Sequence, residues 1–313
     1  MNYLVTGAAG FIGGAVAKWL LDNGHRVTTI DNLSTGKKDN LPEGINFIEG
    51  NDYDAIVLEK IQNEQFDAII HIAGQSSGEV SFEDPEYDLK TNTLSTLQLL
   101  KIALKTGCRK FIYTSSMAVY GDAEFELVTE DTVPVPKSFY AVGKLASENY
   151  MRIFSSYGIQ CIALRLFNVF GIGQNMDNLK QGMASIYLAQ AIKTGHIVIK
   201  GSSDRFRDFV YIDDVVSAID LFLNRTGEGF EIYNVSNERK IYVADIINYI
   251  ENCLPDITHE YVEGTPGDQH GIYGNSNRLR ELGWTPGVTF EEGMSRMIAW
   301  GEKTLNADVQ AKE

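Results

Sequence analysis

Continuous apolar runs alternate with amphipathic segments through the first 170 residues of the chain. The runs show no alternation of polar and apolar positions, and strands of this kind are buried on both faces of a parallel sheet. The segments between them have an apolar period near that of a helix. The pattern therefore predicts an α/β fold with a doubly wound parallel sheet. The expected strands are 3–6, 27–31, 46–49, 68–72, 110–114 and 161–166, and the expected helices are 11–23, 55–62, 86–106 and 139–156.

The pattern becomes less regular after residue 167, where glycines punctuate 171–182 before a predicted helix at 183–194. Strand-like runs return at 209–212 and 231–235, on either side of a predicted helix at 214–224. We therefore expect the chain to re-enter the first domain there. The prediction is an NAD-binding domain of 1–167 and 209–235, a smaller α/β C-terminal substrate-binding domain of 168–208 and 236–304, and a frayed polar tail at 305–313.

The charge of the chain argues against two classes of partner. It has 27 Lys and Arg against 42 Asp and Glu, a net charge of −15, which repels nucleic-acid phosphates and anionic lipid surfaces. No apolar run approaches the ~20 residues of a membrane-spanning helix, and the N-terminus begins like a strand without a leader. Cys108, Cys161 and Cys253 are scattered in or near apolar runs, and the five histidines lack ligand spacing. We expect a cytoplasmic protein without a metal site.

A glycine-rich turn follows the first predicted strand and precedes the first predicted helix. Its sequence is Gly7-Ala-Ala-Gly10-Phe-Ile-Gly13. Glycines let the backbone approach a pyrophosphate, and the helix N-terminus offers free N–H groups to that anion. The spacing is G-x-x-G-x-x-G rather than the general G-x-G-x-x-G, so the turn alone leaves a packing role open. Its place between strand and helix favours a Rossmann dinucleotide site.

Asp31 ends the second predicted strand, 21 residues after Gly10. This is close to the separation at which a carboxylate accepts hydrogen bonds from the adenosine ribose. Because a carboxylate there repels a 2′-phosphate, the sequence favours NAD over NADP. Two alternatives stay open: an ordinary acid at the end of a strand, and compensation of its charge by Lys37 and Lys38.

Tyr140 and Lys144 are four residues apart in a predicted helix, which places both side chains on one face. The ordinary pKa of tyrosine, about 10, makes it a poor base at neutral pH, and a neighbouring ammonium together with a nicotinamide cation would lower that pKa. Ser116 follows the strand 110–114, at the sheet edge where such folds bind ligands. We therefore expect these three residues to share a catalytic site. Ser115 competes for the serine role, and a strand-end turn is the structural alternative.

Eight motifs occur along nearly the whole chain: TGAAGFIGG, DNLSTG, HIAG, TSSMAVYG, YAVGK, LRLFNVFG, RDFVYIDDV and LGWTP. In these motifs and their order the chain resembles extended short-chain dehydrogenase/reductases, and among them the UDP-glucose 4-epimerase-like nucleotide-sugar enzymes. The resemblance implies tightly bound NAD and a reaction without net redox change. Dehydratases of this group usually carry an acidic pair at the position of Ser115-Ser116, so the resemblance favours an epimerase.

The resemblance also assigns roles to the catalytic and cofactor residues. It implies that Tyr140 takes the proton of the sugar 4-hydroxyl, that Ser116 holds that oxygen, and that Lys144 binds the nicotinamide ribose and depresses the pKa of Tyr140. The hexose passes through a transient 4-keto sugar that turns over in the pocket. The implied cofactor positions, with Tyr140 and Lys144, are Gly7, Gly10, Phe11, Ile12, Gly13, Asp31, Asn32, Gly36, Asp52, Ala73, Asn92, Thr114 and Phe167.

For the substrate, the resemblance points to Asn168 and Arg207 at the diphosphate, with Phe209 beside them. A guanidinium suits this anion because it is permanently charged and forked. A surface salt bridge from Arg207 to Asp204 or Asp208 is the alternative. Gly271 falls where side-chain bulk limits the sugar in some epimerases, so glycine there would admit an N-acetyl group, or it is simply a turn glycine.

Three further details of the chain differ from the family pattern. The adenine contact falls on Asp52 or shifts by one residue. Thr265-Pro266-Gly267-Asp268 stands where many members carry an arginine, so one cation for the diphosphate is missing. The loop 75–79 is more polar than usual and lies where the sugar is expected.

Several functional alternatives share this fold. They are dehydration, 2-epimerisation or reduction of a keto sugar, and, in a different class, a regulator that binds NAD(P) without catalysis. The joint presence of tyrosine, lysine and serine argues against the regulator. By resemblance, the helices 86–106 and 139–156 pair with their copies in a homodimer, and the products serve polysaccharide synthesis; burial of both helices against the chain's own sheet is the alternative.

Overall fold

Fifteen strands are present in the described part of the chain, and seven of them form the main sheet. The computed structural model describes residues 1–123, 126–178, 182–264 and 270–310, and only the backbone of 305–310. The strands are β1 Asn2–Thr6, β2 Arg26–Asp31, β3 Asn46–Glu49, β4 Ala68–His71, β5 Lys110–Ser116, β6 Leu127–Val128, β7 Gln160–Leu166, β8 Asn168–Phe170, β9 His196–Lys200, β10 Phe206–Arg207, β11 Phe209–Tyr211, β12 Phe230–Val235, β13 Ile241–Tyr242, β14 Thr258–Val262 and β15 Tyr273–Gly274.

The helices of the described residues cover both faces of the main sheet and build a second lobe. They are α1 Phe11–Asp22, α2 Ala55–Glu59, α3 Gly78–Glu83, α4 Pro85–Asp88, α5 Ser95–Thr106, α6 Phe139–Ser155, α7 Met183–Thr194, α8 Ile212–Asn224, α9 Val243–Cys253, α10 Asn277–Glu281 and α11 Phe290–Gln310. None of them is both long and apolar enough to cross a membrane. Helix α11 continues into the stretch 305–313 that was expected to be frayed, and 311–313 lie outside the described residues.

The main sheet is parallel throughout and has the order β12-β7-β5-β4-β1-β2-β3. Successive residues of a strand face opposite sides, so Leu4 and Ile69 belong to one core while Val5 and Ile70 belong to the other. Helices α1 and α8 cover one face, and α2, α5 and α6 cover the other. The predicted doubly wound α/β fold is confirmed, and the apolar runs reflect burial on both faces.

A third core lies in the C-terminal part of the chain, between α7, α9 and α11 and the strand pair β9–β14. Strand β12 follows α8, which covers the main sheet, and joins that sheet beside β7. The short parallel pair β8–β11 lies between the two regions and carries residues of the site described below. The domain boundaries given above stay a prediction.

The helix predicted at 86–106 is divided into α4, a π-helical segment Leu89–Leu94 and α5. The sequence prediction of one regular helix is wrong here. Thr91, Ser95 and Thr96 donate their hydroxyl hydrogens to the backbone carbonyls of Tyr87, Thr91 and Asn92, four residues earlier in each case. Such bonds compete with the regular helical ladder, and π-helical turns are frequent at functional sites.

Candidate active site

A cleft with a volume of about 1060 Å³ runs along the carboxyl edge of the main sheet. Its size exceeds the range of about 300–1,000 Å³ common for small-ligand pockets, which leaves room for two large ligands. The predicted site residues that line it are Gly7, Gly10, Phe11, Ile12, Gly13, Asp31, Asn32, Gly36, Asp52, Ala73, Thr114, Ser116, Tyr140, Lys144, Phe167, Asn168, Arg207 and Phe209.

The glycine turn allows helix α1 to begin directly against the end of β1. Gly7 has φ +79°, and a Cβ on Gly13 would lie 2.1 Å from the carbonyl oxygen of Gly7. A Cβ on Gly36 would lie 2.6 Å from both the carbonyl carbon and the carbonyl oxygen of Ala9. No side chain caps the N-terminus of α1 at Gly10. The first N–H groups of α1 therefore remain available to an anion, and the close backbone approach explains the glycines.

Asp31 is held in place by the turn it faces. One of its carboxylate oxygens accepts a hydrogen bond from the backbone N–H of Ala9 at 2.9 Å, and the other from that of Leu33 at 2.8 Å. Lys37 pairs with Asp177 at 3.5 Å, and the Lys38 ammonium lies 5.6 Å from the centroid of the Phe47 ring. Both lysines are thus engaged away from Asp31, which favours a ribose with a free 2′-hydroxyl.

Asp52 is the acid of the segment 51–54 that fits an adenine contact. Its neighbour Asn51 accepts a hydrogen bond from Asn32 at 2.8 Å and donates one to Asp54 at 2.7 Å. Asp52 lines the cleft, and its Oδ2 atom has no hydrogen-bond partner. Burial raises the pKa of Asp52 to about 7. This Oδ2 atom lies 3.6 Å from Nδ1 of the buried His71, so an adenine in the cleft would meet the rest of the Asp52 side chain.

The catalytic residues predicted from the sequence come together at the start of α6. The hydroxyl of Ser138 caps this helix by accepting from the N–H of Ala141 at 3.2 Å, which places Tyr140 in the first turn. The Lys144 ammonium lies one turn later, 5.7 Å from the centroid of the Tyr140 ring, and donates to the carbonyl of Thr114 at 3.0 Å. The tyrosine, the lysine and the end of β5 therefore share one wall of the cleft.

The two serines at the end of β5 have different surroundings. Ser115 donates to Glu148 at 2.6 Å, and this carboxylate also binds the guanidinium of Arg165 at 2.9 and 2.7 Å. The side chain of Ser116 instead lies beside that of Tyr140 and acts to lower the tyrosine pKa, while its Oγ accepts the N–H of Ala118 at 3.2 Å. This difference favours Ser116 over Ser115 as the serine beside Tyr140.

The surroundings of Tyr140 in the chain alone oppose its ionisation. Burial raises the pKa of Tyr140 to about 12; Ser116 opposes this rise, and the charge of Asp88 adds a smaller contribution to it. Burial also lowers the pKa of Lys144 to about 8. The expected lowering of the Tyr140 pKa by Lys144 is not found for the chain by itself, because desolvation dominates and the ammonium is directed at Thr114. A second positive charge beside the ring is needed to stabilise the phenolate.

The opposite wall carries the groups predicted for the diphosphate. The Asn168 amide donates to the backbone carbonyl of Asp208 at 3.0 Å. Arg207 donates to the carbonyls of Phe206 at 2.8 Å and His270 at 3.2 Å. Burial lowers the pKa of Arg207 to about 10, and the charge of Arg205 acts in the same direction. Arg207 thus adds a cationic group to the lining of the cleft.

The sequence did not single out Asp208 as an organiser of this wall. Its buried carboxylate accepts the backbone N–H groups of Asn237 at 2.9 Å, Glu238 at 3.1 Å and Gly274 at 3.1 Å. The residues on both sides of it, Arg207 and Phe209, line the cleft. The proximity of Asp208 and Arg207 in the sequence suggested a salt bridge instead, and only the fold shows the three backbone donors.

Two predicted residues, Asn92 and Gly271, lie outside the cleft lining. Asn92 is buried and donates to the carbonyl of Gln75 at 2.8 Å and to Asp88 at 3.1 Å, so it supports the loop above it. Asp88 was not predicted, although its spacing of four residues from Asn92 in a helix is a usable signal.

The interpretation of Gly271 as a gate for the sugar is corrected by its surroundings. A Cβ there would lie 2.5 Å from the carbonyl oxygen of Phe206 and 3.0 Å from its ring, and the φ of +158° favours glycine. Packing against Phe206 accounts for this glycine. The segment Thr265-Pro266-Gly267-Asp268 lies outside the described residues.

Comparison with known proteins decides which family this site belongs to. Residues 3–236 match the NAD dependent epimerase/dehydratase family. The chain belongs to that family. The resemblance noted in the motifs is thereby confirmed, and so is NAD as the cofactor of this enzyme family. The residues that fit the dinucleotide are those of the glycine turn, Asp31 and Asp52.

Relatives within the family are similar over almost their whole length. A protein named putative UDP-glucose 4-epimerase from Methanocaldococcus jannaschii is 32% identical over 95% of this chain and 97% of its own. The structure of UDP-glucose 4-epimerase from Thermotoga maritima with UDP-glucose has a TM-score of 0.93 at 32% identity, covering 97% and 100%. That of UDP-N-acetylglucosamine 4-epimerase from Methanobrevibacter ruminantium, solved with UDP-N-acetylmuramic acid, has a TM-score of 0.91 at 30% identity, covering 97% and 98%.

The family also contains enzymes with other products. An NDP-hexosamine 5,6-dehydratase has a TM-score of 0.84 at 25% identity, covering 96% of this chain and 97% of its own. Likeness of fold therefore establishes an NAD-dependent enzyme family of nucleotide-sugar chemistry, and the reaction has to be argued from the site.

Proposed function

We propose that the protein is a nucleotide-sugar 4-epimerase with tightly bound NAD, acting on a UDP-hexose or UDP-N-acetylhexosamine through a transient 4-keto sugar. The observation that supports the proposal most is the grouping of Ser116, Tyr140 and Lys144 on one wall of the cleft, where Ser116 acts to lower the pKa of Tyr140. In this arrangement the phenol of Tyr140 and the hydroxyl of Ser116 can contact the same substrate oxygen. The bound NAD supplies an acceptor that takes a hydride from a carbinol carbon and returns it.

The chain's own residues account for the proton transfers. Tyr140 accepts the proton of the 4-hydroxyl and later returns it, while Ser116 keeps that oxygen within hydrogen-bonding reach. Lowering the Tyr140 pKa from about 12 to near neutrality requires stabilising the phenolate by roughly 7 kcal/mol, at 1.36 kcal/mol per pKa unit. The positive charge of the oxidised dinucleotide would supply this stabilisation in a cleft of low dielectric, with Lys144 holding the nicotinamide ribose.

The opposite wall fits a nucleoside diphosphate. Arg207, Asn168 and Phe209 line it, and a buried guanidinium binds two phosphate oxygens well. Because the substrate is anchored through the diphosphate, the hexose is free to turn over at Tyr140. This separation of anchor and reacting group supports an epimerase.

Incubation of the purified protein with UDP-glucose and with UDP-N-acetylglucosamine, followed by chromatography of the products, tests the proposal. We expect a mixture of C4 epimers at equilibrium without added cofactor. A stable keto or deoxy sugar would instead indicate a dehydratase, and stoichiometric consumption of NADPH would contradict an epimerase.

A homodimer through α5 and α6 is part of the proposal. Phe139, Val142 and Ile153 on α6, Leu89 and Leu104 are exposed apolar side chains on these neighbouring helical segments. Exposed apolar surface of this kind marks interaction sites. The three cysteines are free, which supports the proposed cytoplasmic location.

A further inference from the structure

A short segment beside Tyr140 forms one rim of the cleft. Residues 75–80 all line it, and Gly78 lies near Ser138, the residue that caps the helix of Tyr140. The rings of Phe82 and Phe139 contact each other at a centroid distance of 5.5 Å, so α3 packs against the first turn of α6. The rim 75–80 is therefore adjacent to the catalytic tyrosine, at the end of the cleft where the hexose reacts.

This rim is held by partly buried hydrogen bonds. The Gln75 amide donates to Asp88 at 2.9 Å and to the carbonyl of Ser77 at 2.7 Å, and its oxygen accepts the N–H of Ser77. Asn92 donates to the Gln75 carbonyl at 2.8 Å. Both Asp88 and Asn92 are buried. The position of the following residues, including Glu79, is therefore set before a ligand enters.

The charges of the cleft are distributed unevenly. Lys144 and Arg207 are the two basic side chains that line it in the described part of the chain. Lys144 is directed at the Thr114 carbonyl, and Arg207 lies on the opposite wall. Glu79 is an exposed carboxylate on the rim, and within the described ranges no cation is within salt-bridge distance of it. Glu79 thus places a negative charge on the rim beside the start of α6, with no salt-bridge partner among the described residues.

We propose that Glu79 makes the hexose end select against sugars that carry a carboxylate, so that the substrate is a nucleotide sugar with an uncharged hexose or N-acetylhexosamine. The inference rests on the proposed 4-epimerisation, in which the hexose turns over and its substituents meet both walls. A uronate would then bring its carboxylate towards Glu79. Like charges several ångströms apart in a partly hydrated cleft reduce binding by roughly tenfold.

Calorimetric binding of UDP-glucose and UDP-glucuronate to the full-length, NAD-containing protein tests this. The two ligands share UDP and differ in the charge at C6. We expect wild-type protein to bind UDP-glucose about tenfold more tightly, Glu79→Gln to bind both about equally, and Glu79→Arg to prefer UDP-glucuronate. Glu86→Gln, an exposed acid of the same segment outside the cleft, is the matched control and should keep the wild-type ratio.

Equal binding of both ligands by wild type, or a ratio unchanged in Glu79→Gln and Glu79→Arg, would overturn the inference. Failure of both UDP-sugars to bind would overturn it together with the proposed function. A ratio that follows Glu79 in a protein that epimerises neither UDP-glucose nor UDP-N-acetylglucosamine would refute the 4-epimerase alone. Thermal melting curves of the variants confirm that the exposed substitution leaves the fold intact.

Discussion

At the scale of single residues, Tyr140 is the group that we propose transfers the proton of the 4-hydroxyl. We expect Tyr140→Phe to lower kcat for UDP-glucose by about 10³-fold, because proton transfer by a positioned side chain contributes factors of this size. The fold and the dinucleotide site do not depend on the phenolic oxygen, so the variant should retain NAD. Turnover and mass spectrometry of the purified protein measure the two effects.

The control for this change is Tyr157→Phe, which removes the same oxygen from an exposed tyrosine. It should leave kcat unaltered. Full activity of Tyr140→Phe would show that another group is the base. Loss of both NAD and activity in Tyr140→Phe would show that the substitution disturbs the structure of the site, and would contradict a role of Tyr140 in proton transfer alone.

Lys144 is a buried cation held for function at a cost in stability. Its pKa falls from 10.5 to about 8 on folding, a difference that corresponds to roughly 3 kcal/mol. Lys144→Met should therefore abolish turnover while the free energy of unfolding at pH 7 stays level or rises. Chemical denaturation of both proteins measures this.

The same pair of proteins gives a pH test with a defined sign. The folded-state pKa of Lys144 is lower than the unfolded one, so between pH 8 and 10.5 the unfolded chain binds more protons. The stability contributed by this group therefore rises with pH in that window. The free energy of unfolding of wild type should increase relative to that of Lys144→Met as the pH rises from 8 to 10.5. A free energy of unfolding of wild type that decreases relative to that of Lys144→Met in this window would contradict the lowered pKa of Lys144.

At the scale of elements, Asp208 joins β10 and β11 to two other segments through three backbone N–H groups. An amide in its place presents N–H groups to some of these donors. We expect Asp208→Asn to lower the free energy of unfolding by about 1–3 kcal/mol and to raise KM for UDP-glucose, with less effect on kcat and none on NAD retention. Steady-state kinetics and denaturation provide the readouts.

Asp204→Asn is the matched control, because the side chain of Asp204 is 68% exposed. It should resemble wild type in both measurements. An Asp208→Asn protein with unchanged KM would show that the position of Arg207 and Phe209 does not depend on this carboxylate.

The elements also show how far the sequence leads. The turn from Gly7 to Gly13 and the pair Tyr140 and Lys144 were predictable because their spacing within one element fixes their geometry. The direction of Ser115 towards Glu148 depends on packing between elements, as does the contact of Gly271 with Phe206. The π-helical segment arises from hydroxyl bonds that a hydrophobic period does not reveal.

At the scale of the whole molecule, the exposed apolar face of α6 predicts self-association. We expect wild type to be a dimer and Ile153→Glu to be a monomer with an unchanged fold, because a charge would be buried in the interface. Light scattering and circular dichroism measure mass and fold. Ile56→Glu, at a residue that is 77% exposed on α2, should remain dimeric. A monomeric wild type, or a dimeric Ile153→Glu, would refute this surface.

The central claim concerns the ionisation of one phenol. Ultraviolet difference titration of wild type against Tyr140→Phe measures the pKa of Tyr140 directly, in protein with and without NAD. We predict a pKa near 12 without the dinucleotide and one displaced by several units towards neutral pH with it. A Tyr140 that titrates at the same high pH in both forms would contradict its role as the base.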